Sequence, residues 1–557
     1  MTPGSRPLSN TPNGNCNPKK APARRCGTGR ELMAIAEARA WSREEAAAAG
    51  MVLAWHAAQA PEKPAILSEA GNRTFGELNA RANQLVRALR RAGLKAGDAV
   101  ALLCSNRPEF VETVAACQRG GFRLTPVNWH LKGSEVGYIV DNCEAKAFVA
   151  DARFPASAME AARMSPGLVV KLAAGGEIEG FTSYDAAVEA EDGADLADPA
   201  LGTQMMYTSG TTGHPKGVFR RQAAPVSPLL VKLTETAAFR DGDMALVTGP
   251  LYHAAPLALN LSFPINAGVG CVLMDKWDAE ETLRLVEEYR ITHTHVVPTM
   301  LHRMLQLPEA TKAKYDTSSL RWILHGAAPC PAHVKEGSIV WFGPVVFEYY
   351  AATEGGGIFV DSHEWPEKKG TVGKPLPGVI VEVHDEDGKP VKPRDVGTIY
   401  FKAPEQGRFE YYKAPEKTEG AYRGDFYTMG DMGYIDEDGF LFLTGRSAEV
   451  IISGGVNIYP AEIDQEILKH PAVADAAAVG VPNEEWGEEV KLVVELNEGY
   501  RADDAMAREL LDFAAANLPG YQRPRSVDFM QELPRMPSGK VLRRNIRDAY
   551  WQGEKKI

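Results

Sequence analysis

The sequence lacks the marks of several protein classes. It has seven cysteines in 557 residues: Cys16, Cys26, Cys104, Cys117, Cys143, Cys271 and Cys330. The number is odd, the spacing is wide and no C-x-x-C pair occurs. That argues against a disulfide framework or a zinc site and predicts reduced thiols in a cytoplasmic protein. No apolar run reads as a transmembrane segment. The most apolar long window, 256–274, contains Asn260, Ser262, Pro264, Asn266, Gly268 and Gly270, which predict turns between short core elements. Positive charge is in deficit, with 61 Lys and Arg against 73 Asp and Glu and a net charge of -12. A nucleic-acid partner needs a basic face, so this balance argues against one. No internal repeat appears. The first thirty residues hold six Arg or Lys and no acid, with no apolar stretch of a secretory signal. A disordered tail over 1–32, or an upstream start codon with Met33 as the working start, fits them. A transit peptide fits less well, because no amphipathic pattern is present.

What the chain does contain is βα alternation, long enough for two or more domains. Thr74-Phe-Gly-Glu77 reads as a capping box, and Leu78, Ala82, Leu85 and Leu89 follow at helical spacing. The apolar run 100–104 predicts a buried strand, and 109–119 a helix. The rhythm returns with a helix over 279–290 and strands at 294–297, 322–324 and 345–347. These strands run into small-residue loops, where α/β sheets place ligands. Asp387-Gly388 and Asp438-Gly439 predict hairpins. A smaller α+β unit follows, with Pro460 at the first position of a helix over 461–470, strands at 473–481 and 489–496, and a helix over 508–517. The expected organisation is a large multi-subdomain α/β domain over 33–445 and a smaller α+β domain over 446–557.

The strongest local signal is Thr208-Ser-Gly-Thr-Thr-Gly-His-Pro-Lys-Gly217. Gly210, Gly213 and Gly217 let the backbone approach an anion closely. The hydroxyls of Thr208, Ser209, Thr211 and Thr212 can donate to phosphate oxygens, and Lys216 adds charge. This is not a Walker A loop. Lys216 follows Pro215 and precedes Gly217, so no Ser or Thr comes next to hold magnesium.

This loop resembles the signature of the adenylate-forming superfamily of acyl-CoA synthetases, luciferases and peptide-synthetase adenylation domains. Further signatures follow in order. Tyr350-Ala-Ala-Thr-Glu354 resembles Y-G-x-T-E. Tyr427-Thr-Met-Gly-Asp431 resembles Y-x-T-G-D, with Met429 where threonine is usual. Gly445-Arg446 with Ile451-Ile-Ser-Gly-Gly455 resembles the hinge motif, and Pro537-Ser-Gly-Lys540 the C-terminal catalytic motif. The resemblance covers roughly residues 40 to 550. It implies ATP as substrate, with a carboxylate attacking the α-phosphorus while charge is neutralised around it.

The resemblance implies these roles. Glu354 holds Mg²⁺, and Thr353 sits against the phosphate. Asp431 accepts from the two ribose hydroxyls, and Arg446 contacts the ribose or phosphate side. Gly326-Ala327-Ala328 and Glu348-Tyr349-Tyr350 frame the adenine, with Tyr349 offering a stacking face. Lys540 binds the attacking carboxylate and the α-phosphate.

The resemblance also implies a second half-reaction on a mobile small domain, which withdraws Lys540 and closes a pantetheine tunnel. For coenzyme A as acceptor, Ser453, Gly454 and Gly455 match the tunnel lining. Trp486, Tyr521, Arg523 and Arg525 look like positions near the CoA nucleotide. The chain stops seventeen residues after Lys540 with no fused carrier domain, which disfavours a multimodular peptide synthetase. The usual hinge Asp or Lys is replaced by Ala448, followed by Glu449, so the polar hinge contact is in doubt.

For the acid, acetate-using members carry a tryptophan where this chain has Ala351, with Ala352 next. Tyr252-His253-Ala254-Ala255-Pro256 resembles the acyl entrance, with His253 as a gate. The expected substrate is a medium or long fatty acid, or a bulky aryl or steroid-like acid. A homodimer is left open. Two competing readings stand beside the ligase: an adenylate-forming enzyme with another acceptor, and a non-catalytic nucleotide-binding module.

Overall fold

The computed structural model describes residues 41–208, 215–221, 227–536 and 541–551. Expectations that fall on residues 1–40, on Ser209, Gly210, Thr211, Thr212 and Gly213, and on Lys540 lie outside the described residues.

The first layers form as the sequence pattern indicates. Thr74 Oγ1 accepts from the Glu77 N–H, and the Glu77 carboxylate accepts from the Thr74 N–H, which opens the helix Phe75–Arg91. Its apolar face, with Leu78, Ala82, Leu85 and Leu89, joins a core with the strand Ala99–Leu103. That strand is buried along its whole length inside a six-stranded parallel sheet, which explains why it is apolar throughout. The expected helix at 109–119 spans Pro108–Gly120.

A second sheet has nine strands. Its parallel centre runs from Pro64–Leu67 through Gly270–Leu273, Met244–Val247, His293–Val296 and Trp322–His325 to Val346–Ala351. Antiparallel strands close both edges. The last parallel strand is longer than 345–347, so the Glu348-Tyr349-Tyr350 segment is strand, not loop.

One expectation is corrected. The window 256–274 does not break into turns at Asn260, Ser262 and Pro264. It forms a π-helix, Pro256–Ser262, continuing into the short α-helix Phe263–Asn266. Asn260 satisfies the sheet beside it, its side-chain N–H₂ donating to the carbonyls of Leu246 (2.7 Å) and His295 (3.2 Å). Pro264 has no N–H for the Asn260 carbonyl four residues back; that carbonyl lies 3.5 Å from the Cys271 thiol. The turn comes later, at Gly268 (φ 78°).

A five-stranded sheet follows, and both Asp-Gly pairs sit in its turns, with Gly388 and Gly439 at φ 82° and 83°. The second joins Phe426–Ile435 to Leu441–Arg446 as a hairpin. The first is closed by a bridge between His384 and Pro390 and by backbone hydrogen bonds from Asp385 to Lys389 and from Val391 to Val383, and regular strand pairing resumes at Gly397. Beyond Val450 the chain builds its own apolar core from Ile451, Ile463, Val473, Leu492, Leu510 and their neighbours. The architecture is therefore a large α/β domain with a smaller C-terminal α+β domain. The helix starting at Pro460 ends at Ile467, shorter than expected, and the next runs Asp504–Asn517. Among the described residues five cysteines are free, and no helix is long and apolar enough to cross a membrane.

Candidate active site

The strands Met206–Thr208 and Lys216–Arg220 are antiparallel neighbours, with Thr208 opposite Lys216. Lys216 Nζ lies 4.8 Å from the centroid of the Tyr411 ring. Tyr411 in turn donates its hydroxyl to Glu354 Oε1 at 2.9 Å. Burial and the nearby Lys417 lower the pKa of Lys216, and Glu354 opposes them. Burial and the Glu354 charge raise that of Tyr411.

Thr353 and Glu354 are held by a residue that sequence reading missed. Arg220 Nη2 donates to the backbone carbonyls of Glu354 (2.6 Å) and Thr353 (3.3 Å). The signal was present: Lys216, Val218 and Arg220 alternate onto one face of the strand after the loop. Tyr411 left no such signal, because it arrives from a strand nearly two hundred residues later, paired to Lys216–Arg220.

Asp431 faces Arg446 across the hairpin. Its Oδ1 lies 3.1 Å from Arg446 Nε, and its Oδ2 accepts from the Tyr350 hydroxyl at 2.7 Å. Each carboxylate oxygen keeps further lone-pair capacity for hydroxyl donors. Asp431, Arg446, Tyr350, Ala327 and Ala328 line one cleft. Ala327 is held at φ 67°, a strained conformation for a residue with a Cβ. Gly326 leaves no room for a side chain: a Cβ there would lie 2.5 Å from the Tyr349 ring.

One adenine-side expectation is corrected by strand alternation, the stacking face of Tyr349. Tyr349 does not present a stacking face beside Tyr350. Its ring turns to the other side of the sheet, among Trp322, Leu324 and Phe359, with its hydroxyl 3.1 Å from His295 Nε2. Glu348 lines the cleft, with one carboxylate oxygen 2.6 Å from the buried Lys335.

On the acyl side, Ala255 and Ala351 pack together around the Tyr349 cluster, with Leu259, Phe347 and Val379. Ala254 packs instead against the first core, and Ala352 is exposed. The rings of Tyr252 and His253 are tilted by 49° with centroids 4.6 Å apart, and Trp129 and His130 pack edge-on against Tyr252. Among the described residues the Tyr252 hydroxyl and His253 Nε2 are buried without a hydrogen-bond partner. Burial, helped by His130, pushes the His253 pKa down to about 4, so its ring is neutral at pH 7.

The small domain closes the cleft from above. Arg535 and Val541, on either side of 537–540, line it, together with Asp464, Asp475 and Arg543. Arg535 bonds Asp475 at 2.6 Å and reaches Thr299 of the large domain at 3.3 Å. His302 Nε2 lies 3.2 Å from the Ala474 carbonyl. At the hinge Ala448 is exposed, and the neighbouring Glu449 lies 3.4 Å from Arg543 Nε. The candidate CoA residues are not in this cleft. Gly454 and Gly455 form a left-handed turn against Trp486: the Gly454 N–H donates to the Trp486 carbonyl at 2.8 Å, and a Cβ on Gly454 would meet its ring at 2.4 Å. Ser453 begins that turn, and Trp486, Tyr521, Arg523 and Arg525 are exposed.

Residues 53–412 match the AMP-binding enzyme family, and 462–540 its C-terminal domain. The chain belongs to the AMP-binding enzyme family. This AMP-binding enzyme is 32% identical over 506 residues to the fatty acid–[acyl-carrier-protein] ligase ScoC of Streptomyces coeruleorubidus, covering 89% of this chain and 95% of that one. It is 33% identical over 498 residues to an indoleacetate–CoA ligase of Aromatoleum aromaticum, covering 88% and 96%. Its fold is similar to that of the anthranilate CoA ligase AuaEII solved with anthranoyl-AMP, with TM-score 0.81, 25% identity and coverage of 90% and 97%.

Proposed function

We propose that this AMP-binding enzyme is an acid–CoA ligase. A carboxylate displaces pyrophosphate from ATP to give acyl-AMP, and the CoA thiol then displaces AMP to give the thioester. The observation that carries the reading is the cleft itself. It joins Tyr350, Asp431 and Arg446 to the residues flanking 537–540, next to the Thr353–Glu354 turn.

Each group has a chemical task. Asp431, acceptor-only and fixed by Arg446 and Tyr350, receives ribose hydroxyls. Lys216, with Ser209, Gly210, Thr211, Thr212 and Gly213, holds the phosphates. Lys540 brings positive charge to the attacking carboxylate and the α-phosphate, where two anions must meet. Glu354 fits Mg²⁺, since its half-buried carboxylate keeps oxygen sites beyond the one bonded to Tyr411, and a hard cation takes its remaining ligands from phosphates and water. When bound, the ion neutralises phosphate charge. The neutral His253, whose Nε2 has no hydrogen-bond partner among the described residues, borders the acyl entrance and leaves the substrate carboxylate free of a competing cation.

The acceptor reading rests on the Gly454–Gly455 turn, with Trp486 and Tyr521 as exposed apolar faces and Arg523 and Arg525 as phosphate partners. Since that turn lies outside the cleft while Arg535 and Val541, which flank 537–540, line it, the arrangement suits the first half-reaction. Rotation at the hinge would bring the turn in. The resemblance to ScoC favours a second reading, in which the thiol belongs to a carrier-protein phosphopantetheine. For the acid, the small, partly buried side chains of Ala255 and Ala351 beside the Tyr349 cluster support a fatty, aryl or steroid-like chain. Thioester formation from a panel of acids, with CoA and a holo-carrier protein as rival acceptors, tests all three points. Octanoate or an aryl acid should outrun acetate, and CoA should outrun the carrier; the reverse order in either comparison refutes that part of the reading.

A further inference from the structure

Beneath the nucleobase side of the cleft lies a charge pair that acyl transfer does not require. Lys335, on the helix Ala332–Phe342, has no exposed surface. Its Nζ lies 2.6 Å from Glu348 Oε2 and 4.9 Å from the centroid of the Trp365 ring. A buried ammonium persists only when it is paired. Glu348 lines the cleft, and among the described residues Lys335 is the partner of its carboxylate, through Oε2 alone. His325 stands close, with Nε2 3.7 Å from Oε2, but that is too far for a hydrogen bond. Both its ring nitrogens lack partners among the described residues, and burial keeps it neutral. It therefore cannot replace Lys335 as countercharge. Burial pushes the Glu348 pKa up while Lys335 pulls it down, so the charge of this carboxyl depends on Lys335.

Resting on the reading that this cleft receives ATP, we propose that Lys335 is a positioning residue for nucleobase selection. It holds Glu348 as an ionised, acceptor-only carboxylate whose second oxygen faces the 6-position of the purine. An exocyclic amine can donate to that oxygen. A 6-oxo group brings lone pair against lone pair and is rejected. Without Lys335 the buried carboxyl takes a proton, becomes a donor, and accommodates the 6-oxo group instead.

The test is acid-dependent nucleotide–pyrophosphate exchange with ATP and with ITP, compared as a ratio of kcat/KM. In the natural chain ATP should be preferred by roughly 10- to 100-fold, the cost of one unmade hydrogen bond to a buried polar group. Lys335→Met should cut that preference at least about tenfold, mainly through KM for the nucleotide. A purely structural role would lower both activities together and leave the ratio alone. Lys335→Met/Glu348→Gln removes both charges at nearly constant shape, a change that buried pairs tolerate, and should lose the preference as well. A ratio unchanged in both variants, or no ATP preference in the natural chain, overturns the proposal while leaving the adenylation reading intact. No exchange with either nucleotide across the acid panel overturns both.

Discussion

Arg220 offers the sharpest mutational test of the site. Its guanidinium spans the backbone carbonyls of Thr353 and Glu354, at 3.3 and 2.6 Å, and so fixes the turn of the two residues proposed to meet the phosphates and the metal. Arg220→Met keeps the aliphatic stem and removes both donors. A hydrogen bond to a charged group contributes about 1.5–3 kcal/mol, and the longer contact adds less. The expected loss is therefore about 2–3 kcal/mol, or roughly 30- to 150-fold. The loss should fall on kcat/KM for ATP, because the turn is the one proposed to hold the phosphates, and KM for the acid should change little. Arg220→Lys, with a single donor head, should recover part of it. Initial rates of pyrophosphate release at varied ATP, with the best acid saturating, give the number. A kcat/KM for ATP within threefold of the natural chain would refute the reasoning. So would a loss that disappears on cooling, since that would trace the effect to global stability.

Lys540→Ala should slow adenylation by on the order of a hundredfold, as loss of a transition-state donor does, with KM for ATP little changed. Unaltered exchange in that variant removes Lys540 from the mechanism. Stability should fall in acid for a traceable reason. His253 is half-buried and His295 buried, with pKa values pushed down by burial to about 4 and about 3, against an ordinary 6.5. The unfolded chain thus binds more protons as pH drops below 6.5, and each histidine costs about 2 kcal/mol of stability at pH 5 relative to pH 7. The cost grows until pH reaches the folded pKa and is then constant. Urea unfolding of the natural chain and His295→Gln at pH 7 and pH 5 measures it. An equal acid loss in both proteins contradicts the assignment. Thr74→Ala should remove about 1 kcal/mol through the lost N-cap, seen as a lower urea midpoint at unchanged slope.

What the sequence revealed, and what it hid, divides along one physical line. Local chemistry was legible: the Thr74–Glu77 capping box, the Asp438–Gly439 hairpin and the buried run Ala99–Leu103 depend on neighbours in the chain. Asp431 and Arg446 were legible as motif residues, and their pairing follows from that same hairpin. Long-range partners were not. Nothing near Glu354 announces Tyr411 or Arg220, and nothing near Glu348 announces Lys335. The side of the sheet taken by Tyr349 follows from alternation along a strand that continues past 347 to Ala351, an extension the local pattern does not show. Likewise Asn260 and Pro264 read as breakers, yet each is accommodated by a contact from another strand: Asn260 by the Leu246 carbonyl, and the carbonyl that Pro264 cannot serve by Cys271.

The most direct test of adenylation is ATP–pyrophosphate exchange by the purified full chain, run with fatty, aryl and cyclic acids and followed by addition of CoA. Exchange that depends on the acid, is strongest with a bulky one, and converts to thioester and AMP when CoA is added is the expected result. No acid-dependent exchange across the panel would contradict it and leave a cleft that binds nucleotide without catalysing acyl transfer.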